Sequence, residues 1–136
     1  MDKMKKFYEN DRFARYLGIE LLEIYEGGAK ACMKVEEQHL NSVNTVHGGA
    51  LFSLADFVFS MASNSHGNIA VAINANISYF NAVQKGTLFA EGWEVAKNPR
   101  LATYNIEITD EEGGKIAAFQ GMVYRKKETI DAVIDE

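Results

Sequence analysis

The sequence predicts an α+β fold in which about six antiparallel strands form a sheet wrapped around one long central helix. Three observations support this prediction. Residues 47 to 65 have a helical pattern that is apolar almost all the way round, two strand-like stretches precede them, and four follow. Because such a helix has no polar face, it must be covered on most sides, and a curled antiparallel sheet provides that cover. The length of 136 residues fits a single domain, residues 1 to 136.

The segments before the central helix predict a short helix and a β-hairpin. Within residues 1 to 16 we expect an N-terminal helix, with Phe13, Tyr16 and Leu17 at the spacing of one apolar face. Residues 18 to 37 predict two strands around the Gly27-Gly28 pair, since glycine permits the positive φ angles of a tight turn.

The segments after the central helix predict four strands. Residues 69 to 83 are rich in small and β-branched side chains, which indicates a strand buried on much of both faces. Three alternating stretches then follow, separated by turn signals at residues 98 to 99 and 111 to 114; they cover residues 86 to 97, 101 to 110 and 115 to 127. We expect these three to pair consecutively, and residues 128 to 136 to form a flexible tail.

Composition and charge exclude several classes of protein. A net charge of −5 and a pI near 5.2 argue against a nucleic-acid partner. The one cysteine, Cys32, cannot form an intramolecular disulfide, which fits a cytoplasmic location. The longest apolar stretch, residues 50 to 62, is shorter than the roughly 20 residues a membrane span needs. The histidines, His39, His47 and His66, lack metal-ligand spacing, so no metal is expected and His39 and His66 are interpreted as loop or rim residues.

One carboxylate stands in an otherwise uncharged region. Residues 38 to 84 contain a single formal charge, Asp56, near the middle of the central helix. Removing an ionised carboxylate from water costs several kcal/mol unless donors or a cation compensate. Either Asp56 merely caps a loop or faces solvent through a gap, or its cost reflects a functional role.

The glycine pair at the start of the central helix is the second candidate feature. The N–H groups of Gly48, Gly49 and Ala50 have no acceptor in the helix, and the helix dipole adds partial positive charge. Either this end is an oxyanion or anion site, or the two glycines merely let the turn pack against a strand. Gly48 and Asp56 are separated by about 12 Å of helix rise, too far for one reacting group. If both serve one site, two copies must pair with antiparallel central helices, as a two-fold dimer.

The pattern LNSVNTVHGGALFSLADFVFSMASNS closely resembles the signature of the phenylacetate-degradation (PaaI-like) branch of hotdog-fold acyl-CoA thioesterases, and the flanking residues from 12 to 127 are similar as well. The resemblance implies a hotdog fold, a homodimer usually doubled to a tetramer, and hydrolysis of an acyl-CoA thioester with no cofactor beyond the coenzyme A of the substrate. It also implies that Asn41 and the Gly48 N–H polarise the thioester carbonyl. Asp56 of the partner subunit would activate water or attack directly, and His47 would position the glycine turn.

Four further residues are candidates for contact with the substrate. Gly49 belongs to the glycine turn, Phe52 and Tyr79 are candidate walls of the acyl pocket, and Arg100 is the first choice for the coenzyme A phosphates. The acyl group is expected to be aromatic, such as aryl-acetyl, or a medium-length chain. The sequence departs from the family at Ala72, where some relatives carry Ser or Thr; Asn74, Asn76 and Ser78 are possible substitutes.

Two other functions fit the same fold. A hotdog domain can bind acyl-CoA without hydrolysing it, although such modules usually accompany an output domain. A hydratase or dehydratase would need an Asp/His pair acting on one carbon, and the residues between His47 and Asp56 do not resemble that motif. Acyl-enzyme chemistry on Ser or Cys is excluded because no G-x-S-x-G motif occurs and Cys32 lies outside the cluster.

Overall fold

The structure is a computed structural model that describes residues 1 to 134. Four helices and six strands follow one another in the order α1 Asp2–Glu9, α2 Arg12–Leu17, β1 Ile19–Tyr25, β2 Gly28–Lys34, α3 Gly48–Asn64, β3 Asn68–Tyr79, β4 Thr87–Lys97, β5 Leu101–Thr109, β6 Lys115–Thr129 and α4 Asp131–Ile134. A short 3-10 turn, Glu37–His39, lies between β2 and α3. The predicted α+β class and strand number are confirmed.

The six strands form one antiparallel sheet in the order β1-β2-β4-β5-β6-β3. The glycine pair makes the β1–β2 hairpin, with Gly27 at a φ of 83°. The three stretches predicted to pair consecutively do so as β4, β5 and β6. Helix α3 connects β2 to β3, which pairs with β6 and so lies at the opposite edge of the sheet from the β1–β2 hairpin.

Helix α3 packs on the sheet and contacts all six strands. Its side chains Leu54 and Val58 are fully buried. Two strand glycines allow this close approach. A Cβ on Gly92 would lie 2.8 Å from Val58, and a Cβ on Gly121 would lie 2.6 Å from the Phe59 ring. The absence of side chains at these two positions lets the helix lie directly on the strands.

The N-terminal segment differs from the single amphipathic helix that we predicted. It forms α1 and α2, because the carboxylate of Asp11 accepts the N–H of Ala14 and begins a second helix. The expected apolar face is wrong in detail. Phe13 and Tyr16 are exposed, and it is Ala14 that is buried, while Leu17 packs against the edge of the core. The three predicted positions all lie within α2, but the helix turns the side that carries Ala14 toward the core, and this leaves Phe13 and Tyr16 in solvent.

The expectation that β3 is buried on both faces is wrong for the single chain. β3 is an edge strand whose residues are mostly exposed, Ile73 at 54% among them. Its small and β-branched side chains indicated burial. In the sheet, however, β3 pairs with β6 along one edge and has no neighbouring strand along the other. An exposed apolar edge strand is a surface that proteins normally cover.

Much of the expected flexible tail is ordered structure. β6 continues to Thr129, Ile130 is buried, and α4 follows with Ile134 buried. Lys3 of α1 forms an ion pair with Asp131 of α4 at 2.7 Å, so these two helices are adjacent. Residues 135 and 136 of the predicted tail lie outside the described residues.

Two histidines are more enclosed than a loop or rim position implies. His39 is buried: its Nδ1 accepts the N–H of Glu36, and its Nε2 lies 2.8 Å from the carbonyl oxygen of Leu17. With Nδ1 as an acceptor, Nε2 is the ring nitrogen that donates to the Leu17 carbonyl. The largely buried ring of His66 lies between the carboxylates of Glu26 and Glu94. Both rings join separate segments of the chain.

Candidate active site

The start of α3 leaves one backbone donor free. His47 precedes the helix and acts as its cap: its Nδ1 accepts the Gly49 N–H at 2.8 Å, and its carbonyl oxygen accepts the Ala50 N–H at 2.9 Å. Among residues 1 to 134, the Gly48 N–H forms no hydrogen bond. Of the three N–H groups considered from the sequence, only that of Gly48 is available to a ligand.

Tyr79 at the end of β3 fixes the position of Gly48. Its hydroxyl donates to the carbonyl oxygen of Gly48 at 3.1 Å, and a Cβ on Gly48 would lie 3.2 Å from the tyrosine ring. Gly48 and Tyr79 line a recess of about 300 Å³ together with Thr45, Val46, Leu51, Phe80, Asn81 and Ala82. We call this the glycine recess. Its walls are mainly apolar, and the free N–H belongs to one of its lining residues.

Asn41 organises the loop that leads into α3. Its Oδ1 accepts the backbone N–H groups of Val43 and Thr45, and its Nδ2 donates to the Thr45 hydroxyl. These contacts hold residues 41 to 45 in a turn in which Asn44 has a positive φ of 61°. One Nδ2 hydrogen of Asn41 is left over, since the amide has two. Asn41 therefore combines a local structural role with one remaining donor.

Asp56 opens into a second recess, which we call the carboxylate pocket. The pocket has a volume of about 410 Å³ and is lined by Asp11, Phe13, Ala14, Ile19, Phe52, Ser53, Asp56, Phe57 and Ser60. Asp56 is exposed in the single chain, so the expectation of a buried charge is wrong: the side chain points out from α3 into the pocket rather than into the core. Apart from two carboxylates and two hydroxyls, the walls are apolar.

The surroundings of Asp56 disfavour its ionised form. Partial loss of water around the side chain raises its pKa above the ordinary value, and the negative charge of Asp11 raises the pKa further. No basic side chain lines the carboxylate pocket. A carboxylate with a raised pKa is a stronger base, as proton abstraction near neutral pH requires.

The structure does not bring all the predicted site residues together within one chain. Phe52 lies beside Asp56 in the carboxylate pocket, whereas Gly48 and Tyr79 line the glycine recess. Gly49 lies next to Gly48, but its N–H is already bound by His47. The two halves of the predicted site thus occupy separate recesses on the same helix.

Arg100 lies far along the sheet from Gly48. It belongs to the β4–β5 turn, where the Asn98 side chain accepts the N–H groups of Arg100 and Leu101. Arg125 donates to the carbonyl oxygen of Asn98 and supports the turn. Arg125 pairs with Ala70 near the start of β3, while Tyr79 ends that strand. Within one chain, Arg100 and the glycine recess are at opposite ends of β3.

The position of the missing Ser or Thr is also away from both recesses. Ala72 lies on β3 beside a β-bulge, because the pairing with β6 shifts between Ala72 and Asn74. Asn74 and Asn76 line a third groove of about 280 Å³ with Thr103, Gln120, Gly121 and Met122. Neither those two nor Ser78 lines the carboxylate pocket or the glycine recess.

Sequence reasoning missed two residues of the carboxylate pocket. Asp11 was not singled out, although an acidic residue just before a helical stretch is a signal for a helix cap. Phe13 was predicted to pack inward, yet its exposed ring forms part of the pocket wall. Neither residue belongs to the central motif, so only the folded chain places them beside Asp56.

Two further findings concern the described residues as a whole. Within residues 1 to 134 there is no group of three or more His, Cys, Asp or Glu side chains placed to hold a metal ion. In the same part of the chain, every helix is too short or too polar to cross a membrane.

Comparison with known proteins identifies the family. Residues 43 to 117 match the model of the thioesterase superfamily. The chain is 39% identical to the acyl-coenzyme A thioesterase PaaI of Escherichia coli, covering 90% of this chain and 89% of that protein. It is 42% identical to a putative esterase of Archaeoglobus fulgidus, covering 94% and 84% of the two chains. The solved structure of the E. coli PaaI protein from the phenylacetic acid degradation operon superposes with a TM-score of 0.91 at 36% identity, over 94% of each chain. The protein therefore belongs to the thioesterase superfamily, with the hotdog fold of the PaaI-like thioesterases.

Proposed function

We propose that this protein is an acyl-CoA thioesterase that hydrolyses the thioester to a free acid and coenzyme A. One observation carries the proposal: α3 presents a free backbone donor at Gly48 and, two turns later, an uncompensated carboxylate at Asp56. A donor and a base are the two groups that acyl transfer to water needs. The name of the E. coli relative supports the same reaction class.

In the proposed reaction the thioester carbonyl oxygen accepts a hydrogen bond from the Gly48 N–H. Water attacks the carbonyl carbon while Asp56 takes a proton from it, the C–S bond breaks, and the proton passes to the departing sulfur. Direct attack by Asp56 would instead give an anhydride that water then hydrolyses. Incorporation of ¹⁸O from solvent into Asp56 during a single turnover distinguishes the two routes, because only the anhydride route labels the carboxylate.

We propose that each active site is shared by two subunits. Gly48 and Asp56 open into separate recesses of one chain, and their separation along α3 is about 12 Å. Two antiparallel α3 helices related by a two-fold axis bring Gly48 of one subunit level with Asp56 of the other. The exposed apolar edge strand β3, with Val71 and Ile73 uncovered, supports a second copy at this edge. We further propose that two such dimers form a tetramer.

The carboxylate pocket is the proposed acyl site. Its volume of about 410 Å³ and three aromatic side chains, Phe13, Phe52 and Phe57, suit an aryl-acetyl or other aromatic acyl group, or a medium-length chain. The two carboxylates in its wall disfavour acyl groups that carry their own negative charge. We therefore expect neutral apolar acyl-CoAs to be the preferred substrates.

We propose Arg100 as a contact for the coenzyme A phosphates. Asn98 and the Arg125 side chain hold the turn that contains Arg100, so the backbone position of Arg100 is fixed. In an antiparallel pair, the Arg100 end of one subunit lies toward the Gly48 end of its partner. If Arg100→Ala leaves the KM for acyl-CoA unchanged, this assignment is wrong.

We propose no cofactor other than the coenzyme A of the substrate, and a cytoplasmic location, which the lone Cys32 supports.

The test is free-thiol release from a panel of phenylacetyl-, benzoyl- and straight-chain acyl-CoAs, with the native protein beside Asp56→Ala. We expect release by the native protein and a loss of at least about 10²-fold in the variant, as for removal of a general base. Circular dichroism checks that the variant is folded. Tight binding without thiol release by the native protein would contradict the proposal and indicate a non-catalytic acyl-CoA-binding module.

A further inference from the structure

Two carboxylates from different segments meet in the carboxylate pocket. Asp56 projects from the middle of α3, and Asp11 comes from the loop between α1 and α2. The Asp11 carboxylate is held in place, because its Oδ1 accepts the N–H of Ala14 at 3.0 Å as the cap of α2. Its position in the pocket wall is therefore set by the fold of the N-terminal segment.

No cation compensates this pair among residues 1 to 134. Neither carboxylate forms an ion pair there. All the other residues that line the pocket, from each element that faces Asp56, are uncharged. They are Phe13 and Ala14 of α2, Ile19 of β1, and Phe52, Ser53, Phe57 and Ser60 of α3. From α1, the neutral ring of Tyr8 packs edge-on against Phe57 at 5.5 Å. Asp11 is thus the charged group that faces Asp56 in this pocket.

A fixed negative charge beside a base changes its chemistry. A nearby negative charge disfavours ionisation of a carboxyl group in a partly desolvated site, so protonation of Asp56 relieves its repulsion from Asp11. Partial loss of water around the side chain and the charge of Asp11 both raise the pKa of Asp56. The same repulsion increases the tendency of ionised Asp56 to accept a proton from water.

We propose that Asp11 is a positioning residue of the hydrolysis, whose carboxylate, fixed as the cap of α2, makes Asp56 a stronger base toward the attacking water. This inference rests on the proposed function, in which Asp56 accepts that proton. If Asp11 only caps α2, removal of its charge with the cap retained will leave Asp56 unchanged. If the inference is correct, that charge adds to the effect of desolvation and raises the pH at which Asp56 becomes active.

Asp11→Asn is the decisive variant because asparagine caps helices about as well as aspartate. The side-chain oxygen still accepts the Ala14 N–H, while the charge is removed. Asp11→Ser is a second uncharged variant that retains the cap. Glu9→Gln is the matched control, since it removes one negative charge two residues away, outside the carboxylate pocket. Thermal unfolding of all three shows whether the fold is preserved.

Two measurements are made on each variant. The first is the dependence of kcat on pH with a hydrolysed acyl-CoA; we expect the midpoint of its acid limb to move to lower pH in Asp11→Asn and Asp11→Ser, but not in Glu9→Gln. The second is a carbon-13 NMR titration of the Asp56 carboxyl, which needs no substrate and is expected to show the same shift. Added salt should reduce the difference between the native protein and Asp11→Asn.

The outcomes separate this inference from the proposed function. An unmoved NMR titration of Asp56 in folded Asp11→Asn overturns the role of Asp11, whatever the activity. A shift equal to that of Glu9→Gln also overturns it, because the effect then follows net charge rather than the pocket. If the titration shifts but the native protein hydrolyses no acyl-CoA, the proposed function fails while the coupling between the carboxylates stands.

Discussion

Gly48 and Asp56 project from the same helix but open into different recesses of the chain. Gly48 lines the glycine recess with Tyr79, and Asp56 lines the carboxylate pocket with Phe52. A single chain therefore carries a free backbone donor and a carboxylate of raised pKa on one helix without bringing them together.

Replacement of Gly48 by proline tests the free backbone donor. Gly48 is the first residue of α3, where proline fits well, and His47 already has the extended conformation that a following proline favours. Gly48→Pro therefore removes the N–H with little change to the helix. We expect thiol release to fall about 10²–10³-fold, as for other oxyanion donors. Gly48→Ala is the control: it adds a Cβ near Tyr79 but retains the N–H, so equal losses in both variants would show that crowding, not the donor, matters.

His47 is expected to act through the glycine turn and not as an acid or base. Its Nδ1 accepts the Gly49 N–H, which is the role of a helix cap. His47→Asn supplies another capping acceptor, whereas His47→Ala supplies none and should cost about 1 kcal/mol of unfolding free energy. Urea unfolding and thiol release are measured for both. Most of the native rate should remain in His47→Asn; an equally inactive pair would mean that the imidazole itself takes part in the chemistry.

The raised pKa of Asp56 predicts a pH-dependent stability. Because the folded state binds the Asp56 proton more tightly than the unfolded state, stability is lost as the pH rises from the ordinary carboxyl pKa through the raised value. Asp56→Asn should therefore have a higher Tm than the native protein near pH 7. The gain should vanish at acid pH, where native Asp56 is protonated in both states. A Tm for Asp56→Asn below that of the native protein at neutral pH would contradict this sign.

The contact between α3 and the sheet predicts a cost for a single added methyl group. A Cβ on Gly121 would lie 2.6 Å from the Phe59 ring, which is buried and packs edge-on against Tyr104 and in a tilted arrangement against Phe119. Since the ring cannot move away freely, Gly121→Ala should destabilise the protein by about 1–3 kcal/mol. In a Phe59→Leu background the same substitution should cost less. Urea unfolding of the four proteins measures the coupling, and additive effects would argue against the clash.

The parts of the fold that sequence predicted well depend on local signals. The Gly27-Gly28 hairpin and the bounds of α3, predicted as 47 to 65 and found as Gly48–Asn64, follow from turn chemistry and from a long apolar helix. The buried face of β5, with Tyr104, Ile106 and Ile108, follows from simple alternation.

The parts that sequence did not predict depend on contacts between distant segments. Apolar residues of β3 such as Ile73 indicated burial, but they are exposed in a single chain. We propose that a second copy of the chain covers them. Asp56 was expected to be buried because its neighbours are uncharged, yet its position on the outward side of α3 places it in a pocket. The presence of Asp11 in that pocket depends on how α2 packs, which no local pattern specifies.

Hydrolysis by a mixed dimer of Asp56→Asn and Gly48→Pro subunits, co-expressed with different tags and purified through both, tests whether the active site is shared. Each variant alone should be nearly inactive. If each site takes Gly48 from one subunit and Asp56 from the other, the mixed dimer has one intact site of two, and we predict about half the native rate of thiol release per dimer. A mixed dimer as inactive as its two parents would contradict the shared site.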